Sequence, residues 1–346
     1  MTQSGKSFPP AASDRKDAHL DLAVGQVAQS DQDAGFDRIR LDHCALPECD
    51  LASIDISTNF LGRRVLAPLF IGSMTGGTAR ADTINSVLAE VAEACGVGLG
   101  VGSQRASIER AQSQRDLRDR APSVPLIGNL GGVQLAAAAG LDMARRAVDD
   151  LRADAIFIHL HPLQEAVQPE GETDWRGVLG AIEAACSTLP CPVIVKEVGA
   201  GISANVARRL FDVGVYGIDI AGLGGTNWTR IEAARCEDAG RFDPFLDWGI
   251  PTVDAIRAVR EALPEGMLIA SGGIRHGLDA AKALWLGASQ VSMAGPVLKT
   301  VVGADFEAEA AIEAINRYKQ QIRLTLFLTG APNLASFASV PGTIDH

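Results

Sequence analysis

No run of about eighteen apolar residues occurs anywhere in the chain, and a helix needs about that length to cross a bilayer. Residues 1–12 also lack the basic-then-apolar pattern of a secretory leader. The expectation is a soluble, cytoplasmic protein with no membrane partner. Positive charge is scarce: 31 Lys and Arg stand against 42 Asp and Glu, for a formal net charge of −11. Nucleic-acid backbones are held by clustered cations, so this balance argues against such a partner. The six cysteines, Cys44, Cys49, Cys95, Cys186, Cys191 and Cys236, form no CxxC pair. Neither a zinc site nor a disulfide framework is therefore expected, and buried free thiols are. A GxGxxG turn is missing after the first strand, which removes the usual signature of a doubly wound dinucleotide fold.

What is present is apolar material in a regular rhythm. Hydrophobic residues make up 47% of the 346, enough for a core and too many for wholesale disorder. Short, nearly continuous apolar runs at 66–71, 96–99, 125–127, 155–160, 192–195, 217–220, 267–270 and 289–293 read as strands covered on both faces. Amphipathic stretches at 134–151, 203–213 and 278–286 alternate with them, the last placing Leu278, Ala281 and Trp285 on one stripe. Eight β-then-α units predict an α/β fold, a (β/α)8 barrel of the TIM type. Residues 1–14, rich in Ser and Pro, are expected to be a disordered tail. Residues 15–346 are expected to form one barrel domain, with 15–65 as an N-terminal extension.

Chemistry in such barrels sits on loops after the strand C-termini. The first loop reads Gly72-Ser73-Met74-Thr75-Gly76-Gly77, where glycines admit a flat ligand and hydroxyls can reach it. The second and third carry Ser103-Gln104-Arg105 and Asn129-Leu130-Gly131. The fourth, His159-Leu160-His161-Pro162-Leu163-Gln164-Glu165, is the densest polar cluster in the chain, and burying it without a partner is costly. A hard cation there would take an oxygen ligand such as Glu165 and complete its shell with water and substrate phosphate. Lys196-Glu197 ends the fifth strand, either as charge stabiliser or as a buried ion pair with Glu197 or Asp219. Gly272-Gly273 and Ala294-Gly295 follow the seventh and eighth strands, where barrels commonly cradle phosphate. A phosphate-bearing cofactor is inferred from that placement. Ahead of the barrel, Arg15, Lys16 and His19 fall within five residues, either a solvated charge cluster or a flap over an anion.

In order along the chain, Arg-Lys-x-x-His, SMTGG, GSQR, NLG, HLHPLQEAVQPEG, VKEVGAG, GGTNW, SGGIRHGLD and AGPVLK resemble the type 2 isopentenyl-diphosphate isomerases from Arg15 to about Leu328. The resemblance implies an FMN-dependent isomerase of isoprenoid biosynthesis that interconverts isopentenyl and dimethylallyl diphosphate with Mg2+ and with NADPH as reductant. It implies FMN on Ser73, Met74, Thr75, Ser103, Asn129, Lys196 and Thr226, with its phosphate on Gly272, Gly273, Arg275, Ala294 and Gly295. The substrate diphosphate would meet Arg15, Lys16, His19, Arg105, His159, His161 and Gln164, and Glu165 would hold Mg2+. Lys196, Gln164 and His159 would carry catalysis, in a homo-oligomer, a tetramer or octamer. Two positions depart from the family pattern: His161 replaces the usual Asn, and Asn227 a commoner Ser or Thr. His161 thus brings an imidazole, whose charge varies with pH, to a position where the family pattern has an amide. An FMN-dependent 2-hydroxy-acid oxidase or dehydrogenase is the alternative, with His276 beside Arg275 as its base.

Overall fold

The structure is a computed structural model and describes residues 20–345 except 24, 26, 27 and 237. The expected tail at 1–14 and the basic cluster Arg15, Lys16 and His19 lie outside the described residues. Eight parallel strands close into a barrel: β1 (Leu69–Ile71), β2 (Gly98–Gly100), β3 (Leu126–Gly131), β4 (Ala155–His159), β5 (Val193–Lys196), β6 (Gly217–Asp219), β7 (Met267–Ala270) and β8 (Gln290–Met293). All eight fall within or against the apolar runs of the sequence. Among the described residues no helix is long and apolar enough to cross a membrane.

Side chains alternate across each strand, and the alternation divides the barrel into storeys. Phe70, Ile127, Phe157, Ile194 and Ile269 pack inside as the lower storey, apart from the main core between strands and helices. Two residues further along the same strands the inward positions become Asn129, His159, Lys196 and Ser271. The period-two rule thus lifts polar groups to the mouth while the floor stays apolar. Lys196 pairs in register with His159 on one side and Asp219 on the other, so three ionisable groups share one rim.

The floor is sealed by a hairpin, Thr58–Phe60 with Arg63–Val65. Its turn residues Leu61 and Gly62 both have positive φ, as the tight hairpin turn that suits twisted strands requires. The Phe60 ring stacks on Phe70 at 5.9 Å, and Phe70 on Phe157 at 6.0 Å. Asp154, just before β4, accepts from Arg63 Nε at 2.8 Å and from the backbone of Leu126, also at 2.8 Å, and ties the hairpin to the barrel. Elsewhere Ile39–Leu41 pairs antiparallel with Gly342–Ile344, joining the extension to the end of the chain.

Three expectations need correction. The helix expected over 134–151 is two, Gly132–Ala136 and Gly140–Leu151. Ala137 turns extended between them, and a Cβ on Gly140 would stand 2.0 Å from Leu135 O, so the chain doubles too tightly for one continuous helix. Leu278 is exposed, because Gly277–Trp285 buries its alanines and Leu284 instead. All six cysteines are free, but only Cys95 is buried; the other five are partly accessible.

Candidate active site

A cavity of about 780 Å³ opens over the C-terminal ends of the strands. It is lined by every described residue that the sequence assigned to cofactor, substrate, metal or catalysis: Ser73, Met74, Thr75, Ser103, Arg105, Asn129, His159, His161, Gln164, Glu165, Lys196, Thr226, Gly272, Gly273, Arg275, Ala294 and Gly295. Leu20 and Gln29 line it too, so the described extension reaches the mouth. Gln29 bridges Thr226 across it, and Ser30 N donates to Gly225 O at 2.9 Å.

Lys196 stands at the centre. It is buried, and its ammonium donates to Glu197 O at 2.7 Å. Among the described residues it makes no ion pair within 4 Å, which sets aside the plain buried-pair reading. Glu197 instead turns away and accepts the backbone N–H groups of Val198, Gly199 and Ala200 at 2.6, 2.7 and 2.5 Å. Burial pushes the Lys196 pKa down, against the pull of Asp219 and Glu197. Asp219 accepts from Ser271 Oγ, and burial pushes its carboxyl up while Lys196 draws it back. The rim is thus a buried amine with spare donors beside two carboxyls occupied elsewhere, an arrangement suited to meeting negative charge on a ring above it.

Asn129 sets the state of His159. Its Nδ2 donates to Val101 O at 3.0 Å, so its Oδ1 can only accept, and His159 Nδ1 lies 2.7 Å away. His159 must therefore carry its proton on Nδ1. Gln164 is held by Glu232, whose Oε1 accepts from Nε2 at 3.0 Å while its Oε2 takes Arg235 at 2.7 Å. With its amide nitrogen committed, Gln164 has its carbonyl oxygen for other use. Glu232 is fully buried in helix Trp228–Ala233 and went unrecognised in the sequence; nothing in a lone helical Glu 68 positions from Gln164 signals this contact.

Glu165 and His161 face each other on one helical turn. Glu165 Oε2 accepts Glu172 N at 2.6 Å, and Oε1 lies 3.4 Å from His161 Nδ1. Burial raises the Glu165 pKa, partly offset by that N–H. Burial, with Lys196 adding to it, pushes the His161 imidazole down to about 4. Burial therefore favours the neutral form of this imidazole. The second departure, Asn227, caps helix Trp228–Ala233 by accepting Arg230 N at 3.1 Å, a task Ser or Thr performs equally.

Opposite lies a cradle of backbone. Gly272 and Gly273 both have positive φ, and a Cβ on either would drive into Gly222 O at 2.1 Å or Ala34 Cβ at 2.5 Å. Gly295 opens helix Gly295–Gly303, whose first turn has no side-chain cap. Uncapped N–H groups beside a glycine pair are groups that could hold an anion. Ser73 Oγ is buried without a partner among the described residues, the mark of a hydroxyl awaiting a ligand. Two cations assigned to anions are engaged otherwise here: Arg275 pairs with Asp33 at 2.8 Å and Arg105 with Glu109 at 3.0 Å, both at the exposed rim. His276 does not line the cavity; it is half-exposed and caps Gly277–Trp285 by accepting Asp279 N at 3.2 Å.

Residues 159–340 match the family model for FMN-dependent dehydrogenases. The chain is 52% identical over 334 residues to an isopentenyl-diphosphate delta-isomerase of Xanthobacter autotrophicus, covering 94% of this chain and 96% of the relative. The enzyme of that name from Stutzerimonas stutzeri is 50% identical, covering 93% and 94%, and that from Synechococcus is 44% identical, covering 98% and 99%. Among solved structures, a mandelate oxidase variant superposes with a TM-score of 0.69 at 18% identity over 96% of this chain and all of that one, a likeness of fold alone.

Proposed function

The chain belongs to the isopentenyl-diphosphate delta-isomerases, in their FMN-dependent form, and from that premise we propose how its own residues divide the work. The reaction transposes a carbon–carbon double bond: one carbon gains a proton, a neighbour loses one, and no net redox change occurs. Residues 15–346 act as one barrel domain, whose extension at 15–65 reaches the mouth at Leu20 and Gln29 and the floor with its Thr58–Val65 hairpin. One observation carries the proposal: a single cavity holds the uncapped Gly272-Gly273 and Gly295 cradle, the buried ammonium of Lys196, and the Gln164-Glu165 turn.

The phosphate of FMN fits the glycine cradle, whose backbone packs too closely on Gly222 and Ala34 to admit a Cβ at Gly272 or Gly273, and its ring fits beside Ser73, Met74, Thr75, Ser103, Asn129 and Thr226. When bound and reduced, with NADPH as the reductant, FMN supplies the proton exchange. Lys196 stabilises negative charge on the ring. His159, fixed as the Nδ1–H tautomer, and Gln164, fixed by Glu232, orient the alkene diphosphate. Glu165 takes Mg2+, and Arg105, His161 and the basic Arg15, Lys16 and His19 meet the diphosphate; Leu20, next to His19, lining the cavity supports that last assignment. The same reading extends to a cytoplasmic homo-oligomer, a tetramer or octamer.

Oxidation of a 2-hydroxy acid would need a histidine base in the cavity beside arginine, and His276 is instead a half-exposed helix cap. The test is anaerobic: the enzyme, reduced with dithionite or NADPH, is given isopentenyl diphosphate and Mg2+, and dimethylallyl diphosphate is sought. Absence of product under those conditions sinks the assignment.

A further inference from the structure

His161 stands where the resembling family places Asn, and its Nδ1 is a buried nitrogen with no hydrogen-bond partner among the described residues. Only 8% of the residue is exposed. Glu165 Oε1 lies 3.4 Å from it, within reach but not aligned as a hydrogen bond. The other Glu165 oxygen is anchored by Glu172 N at 2.6 Å, which fixes Oε1 towards the ring. The ring itself is held between His159, tilted against it at 4.7 Å, and the edge of Trp175 at 6.0 Å. An orphaned imidazole nitrogen facing a clamped carboxylate oxygen is costly when left empty.

Two donors bound at about 2.1 Å in neighbouring positions of one ion's shell lie roughly 3.0–3.4 Å apart. The observed 3.4 Å separation meets that condition without moving either side chain. We propose that His161 Nδ1 and Glu165 Oε1 bind one divalent ion together, forming a mixed nitrogen–oxygen site that takes Co2+ in preference to Mg2+. An Asn at this position offers only a carbonyl oxygen, which suits hard Mg2+; imidazole suits the later first-row ions, and Mn2+ serves as the spectroscopic probe of the same site. The remaining positions are left for water and the substrate diphosphate. The inference rests on the assignment of Glu165 as metal ligand and adds the ion's identity to it.

Pulsed EPR of Mn2+ bound to the FMN-loaded protein reads the ligand directly, because a coordinated imidazole nitrogen modulates the echo. The expected result is a strong nitrogen coupling that disappears in His161→Asn while Mn2+ remains bound. Calorimetric titration with Co2+ and with Mg2+ should give a preference for Co2+ that falls about 10–100-fold in His161→Asn, the scale on which even hydrogen-bonding partners of metal ligands act. The flavin absorbance of the variant reports that the cavity is intact, and the wild-type spectrum needs no variant. Mn2+ bound without nitrogen coupling, coupling that persists in His161→Asn, or an unchanged Co2+ to Mg2+ ratio each overturns the proposal while leaving Glu165 as ligand. Unaltered Mn2+ affinity in Glu165→Gln, or no Mn2+ binding at all, overturns the Glu165 assignment and this inference with it.

Discussion

Replacing Gly272 by Ala probes the cofactor cradle most sharply. Its φ of +96° is one that L side chains rarely adopt, and the new Cβ would stand 2.1 Å from Gly222 O and 2.8 Å from Gly222 N. The loop cannot yield freely, because Thr252 Oγ1 donates to Gly272 O at 2.8 Å from a fully buried position. Backbone strain of this kind costs about 1–3 kcal/mol, and the contact with Gly222 adds to it. The loop after β7 can admit the methyl only by leaving the path that Thr252 holds, and the proposed FMN phosphate site needs that path. A strain of about 2 kcal/mol therefore reappears as roughly a 30-fold loss of FMN affinity. The assay is quenching of FMN fluorescence on titration into apoprotein, with Tm followed alongside. Gly180→Ala is the control: it lies inside helix Val178–Thr188 with open space around it, so Tm should rise slightly and affinity stay the same. An FMN Kd for Gly272→Ala within twofold of wild type would refute the reasoning.

Glu232→Leu removes the acceptor of Gln164 Nε2; kcat should fall about 100-fold, as for a misplaced reacting group, with the flavin spectrum unchanged. Normal turnover would show that Gln164 needs no anchor. Glu165→Gln should abolish activity together with its metal requirement, and unchanged turnover would show the metal to be misplaced. In metal-free protein, His161 titrates near 4 when folded against about 6.5 when unfolded. Its contribution is therefore complete above about pH 6.5 and is lost as pH falls towards 4, by about 3 kcal/mol. His161→Asn should flatten that part of the Tm–pH curve, and an identical acid limb in both proteins counts against a buried neutral imidazole. Phe60→Ala should cost about 3–5 kcal/mol of stability, measured by denaturant unfolding, and leave kcat intact at 25 °C; impaired turnover would mean that floor and mouth are coupled.

The barrel was legible in the sequence because doubly covered strands are written as short apolar runs, each visible within a few residues. The mouth was legible for a related reason: glycines, amides and histidines stand directly after those runs, so strand order alone gathers them. What escaped depended on contacts between distant segments. Glu232 meets Gln164 across 68 positions, and the Thr58–Phe60 hairpin meets the barrel floor, a contact that its turn glycine, Gly62, does not announce. The break at Ala137 escaped because alanines on both sides support a helix, and only the close approach of Gly140 to Leu135 forbids it. Neutral His161 escaped because its state is set by burial and by Lys196 on a different strand, neither visible in the motif HLHPLQE.

The three stacked rings of Phe60, Phe70 and Phe157 also bear on how such a molecule can change over generations. An aromatic plug at one end concentrates cohesion away from the reacting groups, so the opposite end is free to carry strained glycines and half-satisfied polar atoms without endangering the fold. A lineage built this way can exchange an Asn for a His at the mouth, beside the proposed metal ligand Glu165, and remain folded.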